Sequence, residues 1–445
     1  MYIFPANSPS GGSSVTTELG NSYTGQASSN TLTVSNVDLG TAATDRISVI
    51  GITVNDGGEI PLKVEIENSS GTLVQCSVII ETGTSSSFYS GGPFAAATSH
   101  ACGLYSLPTG SATFGTTGDV KVTFEGNPYL ALVSYAIYNS NAGHIHKTFH
   151  NSSTATFQVD IPAGGAVIGL CGGYGSQAGA WTGDSTALTE DKDNISSSGE
   201  TYLYSASNTY AAESLSHEVI FTPASAHSEY ARAIVAFAPN TRISRVLTDR
   251  RSSGSDASSY TFSDCMLGTG KIIVAGLTGN ETKDITGITV DGNTATELTS
   301  NEQGGTYMAM YQYNGNTSAT GDIVVSMSGT AGRCGILVYL VNNAADSATA
   351  TANSTSNAQT TIDVPEGGLL IAVGHFGNGT TPTSTTGVDP DAVVGTEAVY
   401  YGGSNPEQLL SGASRWYPSA SSGGAVEFST TQDQAISAVS FAEAT

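Results

Sequence analysis

Apolar positions recur with period two along most of this chain, separated by short runs of Gly, Ser, Asn and Asp. Residues 31–53, TLTVSNVDLGTAATDRISVIGIT, read as a strand, a Gly-containing turn and a second strand. Residues 259–278, SYTFSDCMLGTGKIIVAGLT, repeat that pattern. Ser35, Leu39, Gly40 and Thr41 fall on Ser263, Leu267, Gly268 and Thr269. After a short deletion, Ile47, Val49, Gly51 and Thr53 fall on Ile272, Val274, Gly276 and Thr278.

Two further segments are duplicated at one constant spacing. GDVKVTFEGNPYLALVSYAIYN (118–139) matches GDIVVSMSGTAGRCGILVYLVN (321–342), and VDIPAGGAVIGLCGG (159–173) matches IDVPEGGLLIAVGHF (362–376). In the second pair, Pro presets a turn that the following Gly pair tightens. The two halves close alike, on AIVAFA (233–238) and AVSFA (438–442). The chain is therefore expected to be all-β, built as an AB–AB duplication of four tandem β-sandwich units, jelly-roll or Ig-like. The expected division is an N-terminal arm over 1–30, sandwiches over 31–145 and 146–240, an Arg-containing linker over 241–256, and sandwiches over 257–344 and 345–445.

Composition narrows the function classes. The formal charge is −24, with only 14 Lys and Arg against 38 Asp and Glu. A nucleic-acid partner would need clustered cations, and an anionic membrane would repel such a chain. The five Cys are odd in number and form no CxxC. They read as free buried thiols in a protein made in a reducing cytoplasm. The start MYIFPANSPSGGSSVTTELG lacks a basic region and an apolar core, so it does not read as a signal peptide. No run reaches the length of a membrane-spanning helix.

The set SYTFSDCMLGTG, KIIVAGLT, ITGITVDGNTATEL (285–298), TGDIVVSMSGTAGRCGILVYLV and DVPEGGLLIAVG resembles a repeat found near the end of tailed-bacteriophage structural proteins. In the first half, VDIPAGGAVIGLCGG with Trp181-Thr182-Gly183 and Leu188-Thr189-Glu190-Asp191 belongs to the same set. The resemblance covers about residues 30–445. The first repeat departs from it through a longer insertion around residues 54–117. It implies a tail, fibre or virion-surface protein, and carries no catalytic residue onto this sequence.

Candidate chemistry is sparse. HIHKTFH (144–150) is the one His cluster; His144 and His146 alternate as two strand residues on one face would. In a threefold assembly such pairs would offer six imidazoles to a metal, similar to the His-x-His iron site of some phage spike tips; the plain reading is a strand joining two units. Thr189-Glu190-Asp191-Lys192-Asp193-Asn194 is rich in oxygen ligands but matches no EF-hand loop, and reads as a structural loop. Trp181, Trp416 and Tyr417, with Phe88 and Tyr89, lie in loop-like segments where rings stack on sugars or fill subunit interfaces. Arg242, Arg245, Arg250 and Arg251 concentrate positive charge in the linker and suit contact with an acidic neighbour. No GxSxG elbow and no converging carboxylate pair stands out.

These readings lead to a structural virion-surface protein of a tailed phage: a fibre, spike or decoration made in the host cytoplasm. It is expected to be non-enzymatic and cofactor-free. Expected partners are other virion proteins and copies of itself, a trimer being favoured, with a host-surface glycan as a further one. Neither nucleic-acid binding nor membrane insertion is expected. The alternatives are a glycan- or receptor-binding adhesin module and, behind it, a polysaccharide-degrading enzyme.

Overall fold

The computed structural model describes residues 14–444 apart from 56–60, 83–99, 111–112, 125, 151–154, 174–178, 184–187, 196–201, 224–229, 280–282, 304, 356–358, 378–383, 387, 396–407 and 430–433. The described elements are strands, in antiparallel pairs. The first unit holds β1 (Thr16–Gln26), β2 (Thr31–Asp38), β3 (Ile47–Asn55), β4 (Lys63–Glu67), β5 (Leu73–Gln75), β6 (Ser77–Thr82), β7 (His100–Pro108), β8 (Thr117–Thr123) and β9 (Tyr129–Tyr138). The second holds β10 (Ser140–His150), β11 (Ala155–Ile161), β12 (Ala166–Gly173), β13 (Gly179–Gly183), β14 (Thr189–Ile195), β15 (Tyr202–Thr209), β16 (Ser214–Pro223) and β17 (Tyr230–Pro239). The third holds β18 (Ser244–Ser253), β19 (Ala257–Met266), β20 (Gly270–Gly279), β21 (Ile285–Val290), β22 (Asn293–Thr294), β23 (Thr296–Gln303), β24 (Thr306–Asn316), β25 (Thr320–Ala331) and β26 (Arg333–Asn342). The fourth holds β27 (Ala350–Ser354), β28 (Gln359–Val364), β29 (Gly368–Gly377), β30 (Ser384–Thr386), β31 (Asp389–Gly395), β32 (Gln408–Tyr417), β33 (Ser421–Ser429) and β34 (Gln434–Phe441).

One strand order recurs. The large sheets run β1-β9-β3-β7-β6, β10-β17-β12-β15-β14, β26 flanked by β18 and β20 and continuing to β24 and β23, and β27-β34-β29-β32-β31. The small sheets run β2-β8-β4-β5, β11-β16-β13, β19-β25-β21-β22 and β28-β33-β30. In each unit the first strand lies beside the last, as in a jelly roll. The small sheets of units one and three have four strands, and those of units two and four have three.

The large sheets are buried on both faces. Along β9, Leu130 and Leu132 enter the interior of the first sandwich. The intervening Ala131, Val133, Tyr135 and Ile137 pack against Ile168, Leu170, Val235 and Phe237 of the second unit. In the other half, Leu370 and Ala372 face the fourth sandwich's own interior. Leu369, Ile371 and Val373 face Ile273, Ala275 and Leu337 of the third unit. Each half is thus four layers, two large sheets clasped between two small ones. Strands apolar at every position are what this demands, whereas a sheet covered on one face needs only alternation.

Close approach of the clasped sheets uses glycine at two places. A Cβ on Gly172 would lie 2.6 Å from Thr53 Cβ, and one on Gly412 would lie 2.8 Å from Leu337 Cδ1. The Pro-x-Gly-Gly motif forms the expected turn: Gly165 N donates to Pro162 O at 2.9 Å and Gly368 N to Pro365 O at 3.0 Å, with Gly164 and Gly367 at φ 75° and 67°.

The segments expected as an arm and as a linker with a strand entry both form strands. Residues 16–26 of the supposed arm form β1, paired with β9 of their own unit; residues 1–13 lie outside the described residues. The Arg-containing stretch forms β18, the first strand of the third unit. Both are rich in Ser, Thr, Gly or charge, because each lies at the edge of its unit's sheet and part of its length is solvent-facing. The boundary placed at 145 falls inside β10.

Candidate functional site

The sequence-selected residues are not brought together. Trp181 is 4% exposed, its ring edge-on to Phe221 at 5.0 Å between centroids, inside the second sandwich. Trp416 is 3% exposed, and its Nε1 donates to Gly367 O at 3.1 Å. Neither indole can stack on an external sugar, and both are core residues: sheet-forming neighbours turn what read as loops into β13 and β32. Tyr417 is half-buried, with the Arg415 guanidinium 5.8 Å from its ring centroid. Phe88 and Tyr89 lie outside the described residues.

Arg242, Arg245 and Arg251 are engaged within the chain. Arg245 is fully buried; its Nε donates to Ser414 Oγ at 2.6 Å and its Nη2 to Ser414 O at 2.9 Å. Arg251 forks onto Asp249 with contacts of 2.9 and 3.0 Å. Arg242 Nη1 meets Glu443 Oε2 at 3.3 Å, and Arg250 lines a cavity. A cluster that reads as a solvated contact patch is therefore partly consumed inside the chain, by the distant Glu443 and Ser414 and by the nearby Asp249. At Arg245 three units meet: its strand belongs to the third, its backbone pairs with His144 of the second, and its side chain grips the fourth.

The side chains of His144 and His146 lie outside the described residues. Their backbone pairs β10 with β17, and a register shift falls between them, which interrupts the alternation assumed for a shared face. The supposed loop 189–194 is the strand β14, where Asp191 Oδ2 accepts the Tyr135 hydroxyl at 2.8 Å. No group of three or more His, Cys, Asp and Glu able to hold a metal occurs among the described residues. No helix among the described residues is long and apolar enough to cross a membrane.

The feature with the geometry of a site is a cleft between the first and third units. Its larger compartment, ≈ 540 Å³, is walled by Leu73, Val74, Leu107, Pro108 and Phe114 on one side and Val246, Met266 and Leu340 on the other. A smaller one, ≈ 440 Å³, is lined by Asp249, Arg250, Arg251, Cys76 and Leu62. Lys63, Gln75, Thr248 and Asp264 line both, so the two are continuous. β18 lines both, and its backbone bridge to β6, Leu247 with Val78, joins the halves there.

Local irregularity aims polar groups into this cleft. β18 skips register against β26 between Leu247 and Asp249, leaving Thr248 as the extra residue of a bulge. Asp264 lies in a second skip, between Phe262 and Cys265, at φ 55°. Both irregularities belong to the repeat, since β1 skips between Leu19 and Ser22 and β2 between Val34 and Val37. Part of the charge is matched in place: Lys63 Nζ lies 2.6 Å from Glu65 Oε1, and Asp249 takes the Arg251 side chain, Arg250 N and Met266 N. Burial works against the charge of Arg251, but the hydrogen bonds and charge of Asp249 more than offset it, so its pKa lies above the ordinary guanidinium value. Burial pushes the Cys76 thiol well up. The cleft escaped sequence reasoning because its walls come from segments far apart in the chain; Lys63 and Glu65 look like ordinary solvent-side strand residues.

No protein-family model matches the chain, and no curated protein matches it. Among solved structures it is similar to dimeric latent PorU from Porphyromonas gingivalis, at 8% identity and a TM-score of 0.20, over 65% of this chain and 33% of that one. The chain spans about a third of that protein's length, and a likeness this slight carries no argument about fold or function.

Proposed function

We propose that this chain is a structural, non-enzymatic component displayed on the surface of a tailed-phage particle. The observation that carries the reading is the recurrence of one jelly-roll strand order through the chain, clasped into doubly covered sheets. Jelly rolls serve as shells and display platforms in viral capsid and lectin domains, although fold alone leaves function open. The motif set in SYTFSDCMLGTG and DVPEGGLLIAVG supports the same assignment through its resemblance to phage repeats. The protein assembles as a symmetric homo-oligomer, a trimer being favoured. With net charge −24 per chain, copies repel unless their contacts are close and specific. The Arg242–Arg251 segment offers less charge to such a contact than its sequence suggests, since part of it is spent inside the chain.

The test is immunogold imaging of purified particles with an antibody to this chain, together with mass spectrometry of their proteins. Regular labelling of the particle surface is expected. A chain absent from particles, or a purified protein that cleaves a host polysaccharide, overturns the reading.

A further inference from the structure

We propose that the cleft between the first and third units is a binding site for an uncharged amphiphile. The hydroxylated head occupies the smaller compartment and a short aliphatic or aromatic body the larger one. The inference holds whether or not the chain belongs to a phage particle.

Size and place come first. A compartment of ≈ 540 Å³ between two folded units falls in the range of about 300–1,000 Å³ typical of small-molecule sites, which favour such junctions. Burial of apolar surface then dictates the body. Phe114, Leu107 and Pro108 face Met266 and Leu340 across the larger compartment, and water there gains few hydrogen bonds.

The head follows from the charges. Lys63 is met by Glu65 at 2.6 Å, and Arg251 by both oxygens of Asp249. An ionic ligand would have to compete with partners already in place, so net charge gains little. What the smaller compartment offers instead is donor and acceptor groups side by side: the Gln75 amide both donates and accepts, while the Thr248 hydroxyl, whose proton goes to Val338 O at 3.2 Å, and the Asp264 carboxylate accept. A group that both donates and accepts, as each sugar hydroxyl does, satisfies such a surface. The bulge at Thr248 and the left-handed Asp264 hold two of these groups at the waist between compartments, where head and body of the ligand would join.

The probe is n-octyl β-D-glucoside below its micellar concentration, titrated calorimetrically into the full chain, with glucose and octanoate as comparisons. Methyl resonances of Met266 report the larger compartment. Two variants fill that compartment from exposed positions, Ala319→Trp and Thr320→Trp. Unchanged circular dichroism and melting establish that each is folded, and either one suffices. The expected result is saturable one-to-one binding of octyl glucoside, about tenfold tighter than glucose or octanoate, with a shifted Met266 methyl. A folded Trp variant should weaken it about tenfold or more. Absence of saturable binding, binding untouched in a folded Trp variant, or tighter binding of octanoate each overturns the proposal.

Discussion

Arg415 Nη2 lies 3.4 Å from Asp160 Oδ2, tying the fourth unit to the second. The duplicate of Asp160 is used differently, since Asp363 Oδ1 accepts from Gly423 N at 2.6 Å and Ser422 Oγ at 3.2 Å within its own unit. One motif position has thus become a link between halves in one copy and a turn brace in the other. Arg415 is 35% exposed, so solvent screens the pair. A double-mutant cycle of Asp160→Asn and Arg415→Gln should return a coupling of about 0.5–1 kcal/mol in urea unfolding. A value near zero would mean the halves are held by apolar contact alone.

Arg245 and Arg242 lie three residues apart in the same basic segment and should behave differently. Arg245→Leu leaves the buried hydroxyl and carbonyl of Ser414 without their donor, a loss of about 1–3 kcal/mol. Arg242→Ser breaks a half-exposed contact to Glu443 and should cost about 0–1 kcal/mol. Equal urea midpoints for the two variants would contradict the burial of Arg245.

Lys271 supplies a pH signature. It is 6% exposed, donates to the carbonyls of Ala345 and Asp346, and sits 4.7 Å from the Phe441 ring centroid. Burial lowers its pKa to about 8 from 10.5, with Asp346 pushing the other way. Across that window the unfolded chain holds a proton that the folded chain has released, so this group makes stability rise with pH. The Cys171 and Cys265 thiols, pushed up to about 12 by burial, act oppositely above their ordinary value of 9.0. Comparison with Lys271→Met isolates the amine: the wild type should gain on the variant between pH 8 and 10.5. A constant difference would show that the amine stays charged when folded.

The five Cys are buried and free, which agrees with the sequence-based expectation. Cys171 faces the second sandwich's interior, whereas Cys102 faces the layer between units, so a sheet stands between them. Ellman's reagent should find essentially no reactive thiol in the native chain and five per chain in denaturant. Fewer than five on unfolding without reductant would reveal an oxidised pair.

Gly172→Val and Gly412→Val should each wedge a pair of clasped sheets apart, because even a Cβ comes within 3 Å of the facing sheet. The expected loss is about 1–3 kcal/mol or more, with faster amide exchange in β3 and β12 for the first and in β26 and β32 for the second. Wild-type melting for either variant would show that the sheets can separate freely.

The sequence made the strands legible wherever side chains are sorted by burial. RISVIGIT and KIIVAGLT read as strands at once, and the turns at Pro162 and Pro365 fell where they were expected. β1 and β18 were not legible, because TTELGNSYTGQ and SRVLTDRRSS take their order from partners rather than from their own pattern. Burial on two faces was written in LALVSYAIY and AVIGLCGG, but what covers the second face cannot be read from one strand. Trp181 illustrates the same limit from the other side. Its flanking Gly, Ala and Thr look like a loop, while its indole packs over Gly169 and against Phe221. The cleft is still less legible, since no short stretch of sequence carries both of its walls.

The clasped sheets also bear on the chain's ancestry. A single unit cut loose would turn one apolar face of its large sheet to water, and such a face invites sticking to any other. A gene copying one unit at a time would have passed through that hazardous intermediate at each step. Copying two units together avoids it, since the pair carries its own cover. The order in which the matching segments recur, A then B and again A then B, is the record such a history would leave.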